Sequence, residues 1–228
     1  MHGIVYEKGL LEYIDMRRSI LMLLLTAFTS VTFAQKDAKS QEILKGVSAK
    51  YKSYKSISAA FKVVVLDAKD KSTQTQTGNI VMSGNKYNLN ITGQQIISDG
   101  KSSWTYLKDA NEVQINDATT KTDGITPTSI FTVYENGFDS KFVEEKTMAG
   151  KAMQIIDLTP LDKKKPYFKI PLQVNKADKT ISGANIFNNN GTKMVYSVTK
   201  FSPDVAVNDA LFTFDAKKFP GVEVVDLR

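Results

Sequence analysis

Between Asp37 and Ser53 the apolar positions recur at helical spacing. Ile43, Leu44, Val47 and Tyr51 fall on one stripe with lysines between them, and Asp37 stands where a side chain caps a first turn. The pattern predicts one amphipathic helix, which must bury its stripe against another layer. From there the period changes to two. In AAFKVVVLD, Phe61, Val63 and Val65 share a face. In GNIVMSGNKYNLNI, Ile80 and Met82 lead through a tight Ser83-Gly84-Asn85 turn to Tyr87, Leu89 and Ile91. Ile96-Ile97 precedes an Asp99-Gly100 turn, after which Trp104 and Tyr106 share a face that is expected to point inward. Lys108 to Asn111 makes the next turn, leading to Val113 and Ile115.

TPTSIFTVYENG interrupts this meander. Thr126 can cap, Pro127 suits a first helical position and Gly137 can terminate, so a short apolar helix carrying Ile130, Phe131 and Tyr134 is expected as a plug or lid. Strands resume at Phe142-Val143, MQIIDL (153–158) and YFKIPLQV (167–174). In the last, Phe168, Ile170, Leu172 and Val174 alternate with Lys169 and Gln173, and Pro171 suggests an edge or a bulge. Asn190-Gly191 is the clearest hairpin turn, and ALFTFD reads as a final short strand. Many short antiparallel strands with few helices describe a large curved sheet or barrel. There is no internal repeat or linker, so one mature domain over 35–228 is expected.

Composition then narrows what such a sheet does. Met16-Arg17-Arg18, the apolar run Ile20 to Phe28 and the small residues ending at Ala34 make residues 1–34 read as a secretory signal peptide, with Met16 as the initiator of an extended start and cleavage near Ala34. The apolar run is far shorter than the ~20 residues that cross a bilayer. Cysteine is absent and the single histidine, His2, lies in the leader. The remainder therefore lacks the usual general base, the thiol nucleophile and the best zinc ligands, so no catalytic residue, metal or cofactor is assigned. Asp67 and Glu144 are the candidates for a carboxylate hydrolase, but both lie in lysine-rich solvated surroundings. The net charge is +6, yet Lys163-Lys164-Lys165 is the only tight basic run. The scattered lysines give a solvated surface and no nucleic-acid partner. What remains conspicuous is the aromatic residues on the strand faces and the short helix: packing in an ordinary core accounts for them, and so does a curved sheet crossed by one short helix that leaves an apolar cavity suited to acyl chains.

The order of these segments resembles the LolA family of periplasmic outer-membrane lipoprotein carriers. The resemblance runs through QEILKGVSAKYKSYKSISAAF, GNIVMSGNKYNLNI, IISDGKSSWTY, NEVQI, the Pro127 helix, IIDLTP and the closing LFTFDAKKFPGVEVVD. It implies an α+β, mainly antiparallel fold: an unclosed half-barrel with an N-terminal helix and a short helical lid over the concave face. It implies no enzyme. The expected role is a monomeric periplasmic carrier that shields lipoprotein acyl chains between the inner and outer membranes, loaded by a transporter of the LolCDE type and unloaded, where one exists, by a receptor of the LolB type. A lipid-binding or envelope-stress sensing module on the same fold is the second reading. The expected cavity lining is Phe61, Val63, Ile80, Met82, Tyr87, Leu89, Ile97, Trp104, Tyr106, Ile115, Phe131, Tyr134 and Phe214. The family's lid-holding Arg-Pro pair has no counterpart in MSGNKYNLN, where Gly84-Asn85 takes its place.

Overall fold

In the computed structural model, which describes residues 37–69, 71–119 and 124–228, helix α1 (Ala38–Lys52) begins where Asp37 accepts the backbone N–H of Ser40 at 2.9 Å. The signal peptide expected over 1–34 lies outside the described residues. The second carboxylate oxygen of Asp37 accepts the N–H of Phe142 at 3.1 Å, so the cap also fastens the helix to the sheet. Ile43, Leu44 and Val47 are buried, as their spacing requires.

The sheet has twelve strands, numbered in chain order: β1 (Ile57–Leu66), β2 (Thr73–Ser83), β3 (Lys86–Ile91), β4 (Gln94–Ser98), β5 (Ser102–Leu107), β6 (Glu112–Asp117), β7 (Phe138–Met148), β8 (Lys151–Pro160), β9 (Tyr167–Asn175), β10 (Ile181–Asn188), β11 (Lys193–Pro203) and β12 (Glu223–Asp226). Their order is β12-β6-β5-β4-β3-β2-β1-β11-β10-β9-β8-β7, so β12 and β7 are the outermost strands of the described sheet, with the start of α1 bonded to β7, and the barrel is unclosed. Every pairing is antiparallel except β12 with β6. Tight turns make the meander; Gly84, at φ +57°, supplies the left-handed position between β2 and β3.

Residues directly opposite one another across an antiparallel pair share a face. The row Ala59–Ile80–Leu89–Ile96 lies on the face that α1 covers, and it turns polar at Thr105 and Gln114. On the other side of β1 this inner face continues through Val63–Tyr196–Ala184–Leu172–Ile156–Phe142. The opposite row, Val81–Asn88–Ile97–Trp104–Ile115, lies on the back.

Three details differ from the pattern of the sequence. A register shift beside Phe187 and Asn188 places a bulge at the start of β9, so Phe168 leaves the inner row of Ile170, Leu172 and Val174 and stands 53% exposed. Pro171 lies in an interior strand, and the ladder to β10 passes from Leu172 to Lys169 around it, which accommodates its missing N–H. ALFTFD opens as a 3-10 turn, Asp209–Phe212, whose cap Asn208 accepts the N–H of Leu211 at 3.2 Å. Asn208 and Asp209 both favour such local side-chain bonding over a ladder.

Candidate functional site

The segment expected as a lid helix consists of two 3-10 turns, Ser129–Phe131 and Val133–Glu135, broken at Thr132. Thr126 and Pro127 stand one turn earlier than expected: the first 3-10 turn begins at Ser129 with Thr128 at its cap position and no side-chain cap bond, while the hydroxyl and carbonyl of Thr126 both accept the N–H of Ser129. β-Branched Thr128, Ile130, Thr132 and Val133 crowd a helix, which favours the short turns. Ile130, Phe131, Val133 and Tyr134 are nevertheless buried and belong to the same apolar core as α1 and the inner sheet face.

Phe131 enters an aromatic cluster that the sequence pattern does not single out. Its ring lies 5.6 Å from Tyr51 on α1 and 6.4 Å from Phe201 on β11, and Tyr54 lies 5.8 Å from Phe201. Tyr51 is legible as a helix-stripe residue and Tyr54 lies beyond that stripe; Phe201 closes the strand run TKMVYSVTKF, but a register shift beside Phe61 is what brings it opposite Ala59 on the inner face. The Tyr51 hydroxyl accepts the N–H of Ile181 at 3.0 Å, and burial holds its pKa well above the usual phenol value.

The lid is held mainly by burial. Its polar ties are few: Tyr196 donates to the carbonyl of Ile125 at 3.0 Å, Leu161 donates its N–H to the carbonyl of Gly137 at 3.0 Å, and Ser48 donates to Glu135 at 2.8 Å. Lys52 stands 3.6 Å from the Glu135 carboxylate, an exposed pair of little energetic weight. The Tyr134 hydroxyl is buried without a hydrogen bond. Ser48 is near enough to lower its pKa but stands outside hydrogen-bond geometry, and desolvation, the larger effect, drives the phenol pKa upward. The only described arginine, Arg228, bonds to Asp226 and Ser102, away from the lid.

Space remains on both sides of the lid. A cavity of about 290 Å³ lies between Tyr51, Tyr54, Ile57, Met82, Phe131 and Tyr134, with Lys52, Lys55 and Glu135 also lining it. A second, of about 380 Å³, separates Ile125, Val133 and Phe138 from Leu161 and Tyr167. Under Phe131, against Phe61, Ile130 and Tyr196, only about 10 Å³ is free, so the lid fills the inner face there. A wider cleft, about 710 Å³ between α1 and Tyr134–Ser140, is lined mostly by polar side chains such as Gln41, Glu42, Lys45 and Asn136 and does not suit an apolar ligand.

Of the residues expected to line a cavity, Phe61, Val63, Ile80, Met82, Tyr87 and Leu89 gather on the inner face with Phe131 and Tyr134. Ile97, Trp104, Tyr106 and Ile115 do not join them; the register puts all four on the back. There the C-terminal segment covers the sheet. Tyr106 lies 4.5 Å from Phe219 and 5.8 Å from Phe214, and Asn88 donates to the carbonyl of Leu211 at 2.7 Å. Phe214 therefore packs behind the sheet as well. The expectation that Trp104 and Tyr106 point inward is thus corrected: their shared parity is right, but parity does not tell which face is inside. Among the described residues no cluster of His, Cys, Asp or Glu could hold a metal, and no helix is long and apolar enough to cross a membrane.

The family model for the outer membrane lipoprotein carrier protein LolA matches residues 52–215. No curated protein matches the chain. Among solved structures, an uncharacterized conserved protein from Thermus thermophilus has a TM-score of 0.58 at 12% identity, covering 82% of this chain and 99% of that one. A putative outer membrane lipoprotein-sorting protein domain from Vibrio parahaemolyticus has a TM-score of 0.46 at 13% identity, over 77% of this chain and 96% of that one. Lipoprotein LppX from Mycobacterium tuberculosis has a TM-score of 0.48 at 12% identity, over 75% of this chain and all 100% of that one.

Proposed function

The chain belongs to the LolA family, and from that premise we propose that it is an exported, non-enzymatic carrier whose inner sheet face takes the acyl chains of lipoproteins. The observation that carries the reading is the lid: two 3-10 turns bury Ile130, Phe131, Val133 and Tyr134 against the sheet yet are tied down by few hydrogen bonds. Acyl chains would enter by displacing that plug, their methylenes replacing its side chains on Phe61, Ile80, Met82 and Leu89.

Energetics favours exchange over an empty pocket. Each methylene removed from water is worth about 0.8 kcal/mol, so a chain left in water is strongly disfavoured and a carrier must cover it. A lid that refills the site as the chains leave lowers the cost of release. In this reading the carrier works as a periplasmic monomer, delivered by the leader over 1–34, loaded by a transporter of the LolCDE type and unloaded to a LolB-type receptor.

Purified protein is incubated with inner-membrane vesicles bearing an acylated lipoprotein and the transporter. A soluble complex of the two proteins, with acyl chains retained in native mass spectrometry, is the expected result. Failure to solubilise lipoprotein together with an absence of retained lipid rejects the proposal.

A further inference from the structure

The run Lys163-Lys164-Lys165 has no part in the lid or its plug, yet the structure gives it a distinctive setting. It forms the turn between β8 and β9, and the two ends of that turn carry Leu161, 58% exposed, and Phe168, 53% exposed. Phe168 is outside because of the bulge at the start of β9, and bulges re-aim side chains where a protein has a use for them. It packs at 6.1 Å on Phe187, whose ring has the Lys193 ammonium 5.2 Å from its centroid.

This surface is built in advance. Asn189 donates its N–H to the carbonyl of Pro166 at 2.8 Å and its side-chain amide to the carbonyl of Lys165 at 2.9 Å, locking the lysine turn to the neighbouring β10–β11 turn. Of the acids nearby, Asp157 pairs with Lys169 at 2.7 Å; Asp162 accepts the backbone N–H of Lys164 at 2.9 Å and keeps its charge, which Lys163, Lys164 and Lys193 outweigh. Lys163 and Lys164 are exposed beside two exposed apolar side chains.

We propose that Leu161, Lys163, Lys164, Phe168, Phe187 and Lys193 form a docking surface for an anionic phospholipid bilayer. Charge complementarity selects this occupant: lysines bind the headgroup layer while apolar tips enter the boundary beneath it, and long lysine stems tolerate that depth. A protein partner fits less well, because the centres of protein interfaces are depleted in lysine. The assignment stands without the acyl-carrier reading. It would bring the cavity between Leu161 and the lid residues Ile125 and Val133 next to the bilayer.

The test is co-sedimentation of the purified protein with vesicles of phosphatidylcholine alone and of phosphatidylcholine mixed with phosphatidylglycerol. Binding to the mixed vesicles alone, weakening with added salt, is expected. Lys163→Gln and Lys164→Gln each lower the partition about fivefold, and Phe168→Ser lowers it about tenfold. Lys217→Gln with Lys218→Gln, on the C-terminal segment, leaves it unchanged. In a Trp104→Phe background, Phe168→Trp emits at shorter wavelength on mixed vesicles, which shows a folded variant inserting its ring. Equal binding to both vesicles, no binding, or a lysine effect without a Phe168 effect overturns the proposal. So does a stable protein complex that Phe168→Ser disrupts while vesicle binding persists.

Discussion

A Cβ built on Gly78 would fall 2.6 Å from Cζ of Phe61, so the Phe61 ring occupies the space a side chain at position 78 would need. The two residues face each other across the β1–β2 ladder, and the same Cβ would lie 2.5 Å from the carbonyl oxygen of Asn90 on β3. Glycine in a strand interior here marks a close approach, with the aromatic ring covering the gap. Gly78→Ala should cost on the order of 2 kcal/mol, measured as a lowered urea midpoint. Phe61→Leu in the same chain should recover only part of it, because the Asn90 carbonyl cannot move without breaking the β2–β3 ladder. An unchanged midpoint for Gly78→Ala would contradict the close approach.

Trp104 lies in register with Ile97 and Ile115, on the back of the sheet, whereas Leu89 and Ile96 point to the lid side. Its emission should therefore stay constant when an apolar ligand enters the inner face. Phe219→Ala removes the ring 4.5 Å from Tyr106 and 4.7 Å from Phe214. That change should loosen the C-terminal segment, shift Trp104 emission to longer wavelength and speed proteolysis after Lys217 or Lys218. The expected stability loss is about 2 kcal/mol for a half-buried aromatic residue. A Trp104 response to inner-face ligand, with none to Phe219→Ala, would refute the back-face assignment.

The same register explains what could be read from the chain alone. The helix stripe, the two-residue periods and the Gly84-Asn85 and Asn190-Gly191 turns are local signals, and the structure follows them. The resemblance supplied the half-barrel. What stayed illegible is non-local. Alternation groups Trp104 with Tyr106, but the inner face is decided by where α1 and residues 204–222 come to lie. The β9 bulge reverses Phe168 although its spacing from Ile170 is regular. The polar ties of the lid join Ser48 to Glu135 and Tyr196 to Ile125, pairs 87 and 71 residues apart that leave no trace in local pattern.

Two lid substitutions should act in opposite directions. Phe131→Ala withdraws a buried ring from between Tyr51 and Phe201, costing about 3 kcal/mol, and should open the inner face to a fluorescent fatty acid. Tyr134→Phe removes a buried hydroxyl that makes no hydrogen bond, which should raise stability by about 1 kcal/mol and slow uptake of the same probe. Chemical denaturation and stopped-flow fluorescence read both. If the two variants change probe uptake in the same direction, the lid does not gate the inner face.

The lid should also loosen in alkali, through Tyr196. Its hydroxyl is buried and donates to Ile125, and burial pushes its pKa from 10.0 up to about 12. The unfolded chain ionises first, so the stabilisation is fully present below about pH 10 and is lost as the pH rises to about 12; it amounts to on the order of 2 kcal/mol. Tyr51 and Tyr134, raised for the same reason, add losses of the same sign. Tyr196→Phe should cost about 1 kcal/mol at neutral pH through the lost hydrogen bond and flatten the alkaline decline. Probe uptake by the unaltered protein should rise over that pH window, because the phenolate can no longer donate to the Ile125 carbonyl at the start of the lid. Stability that stays level to pH 12, or a decline equally steep in Tyr196→Phe, would show that this tyrosine neither titrates late nor holds the lid.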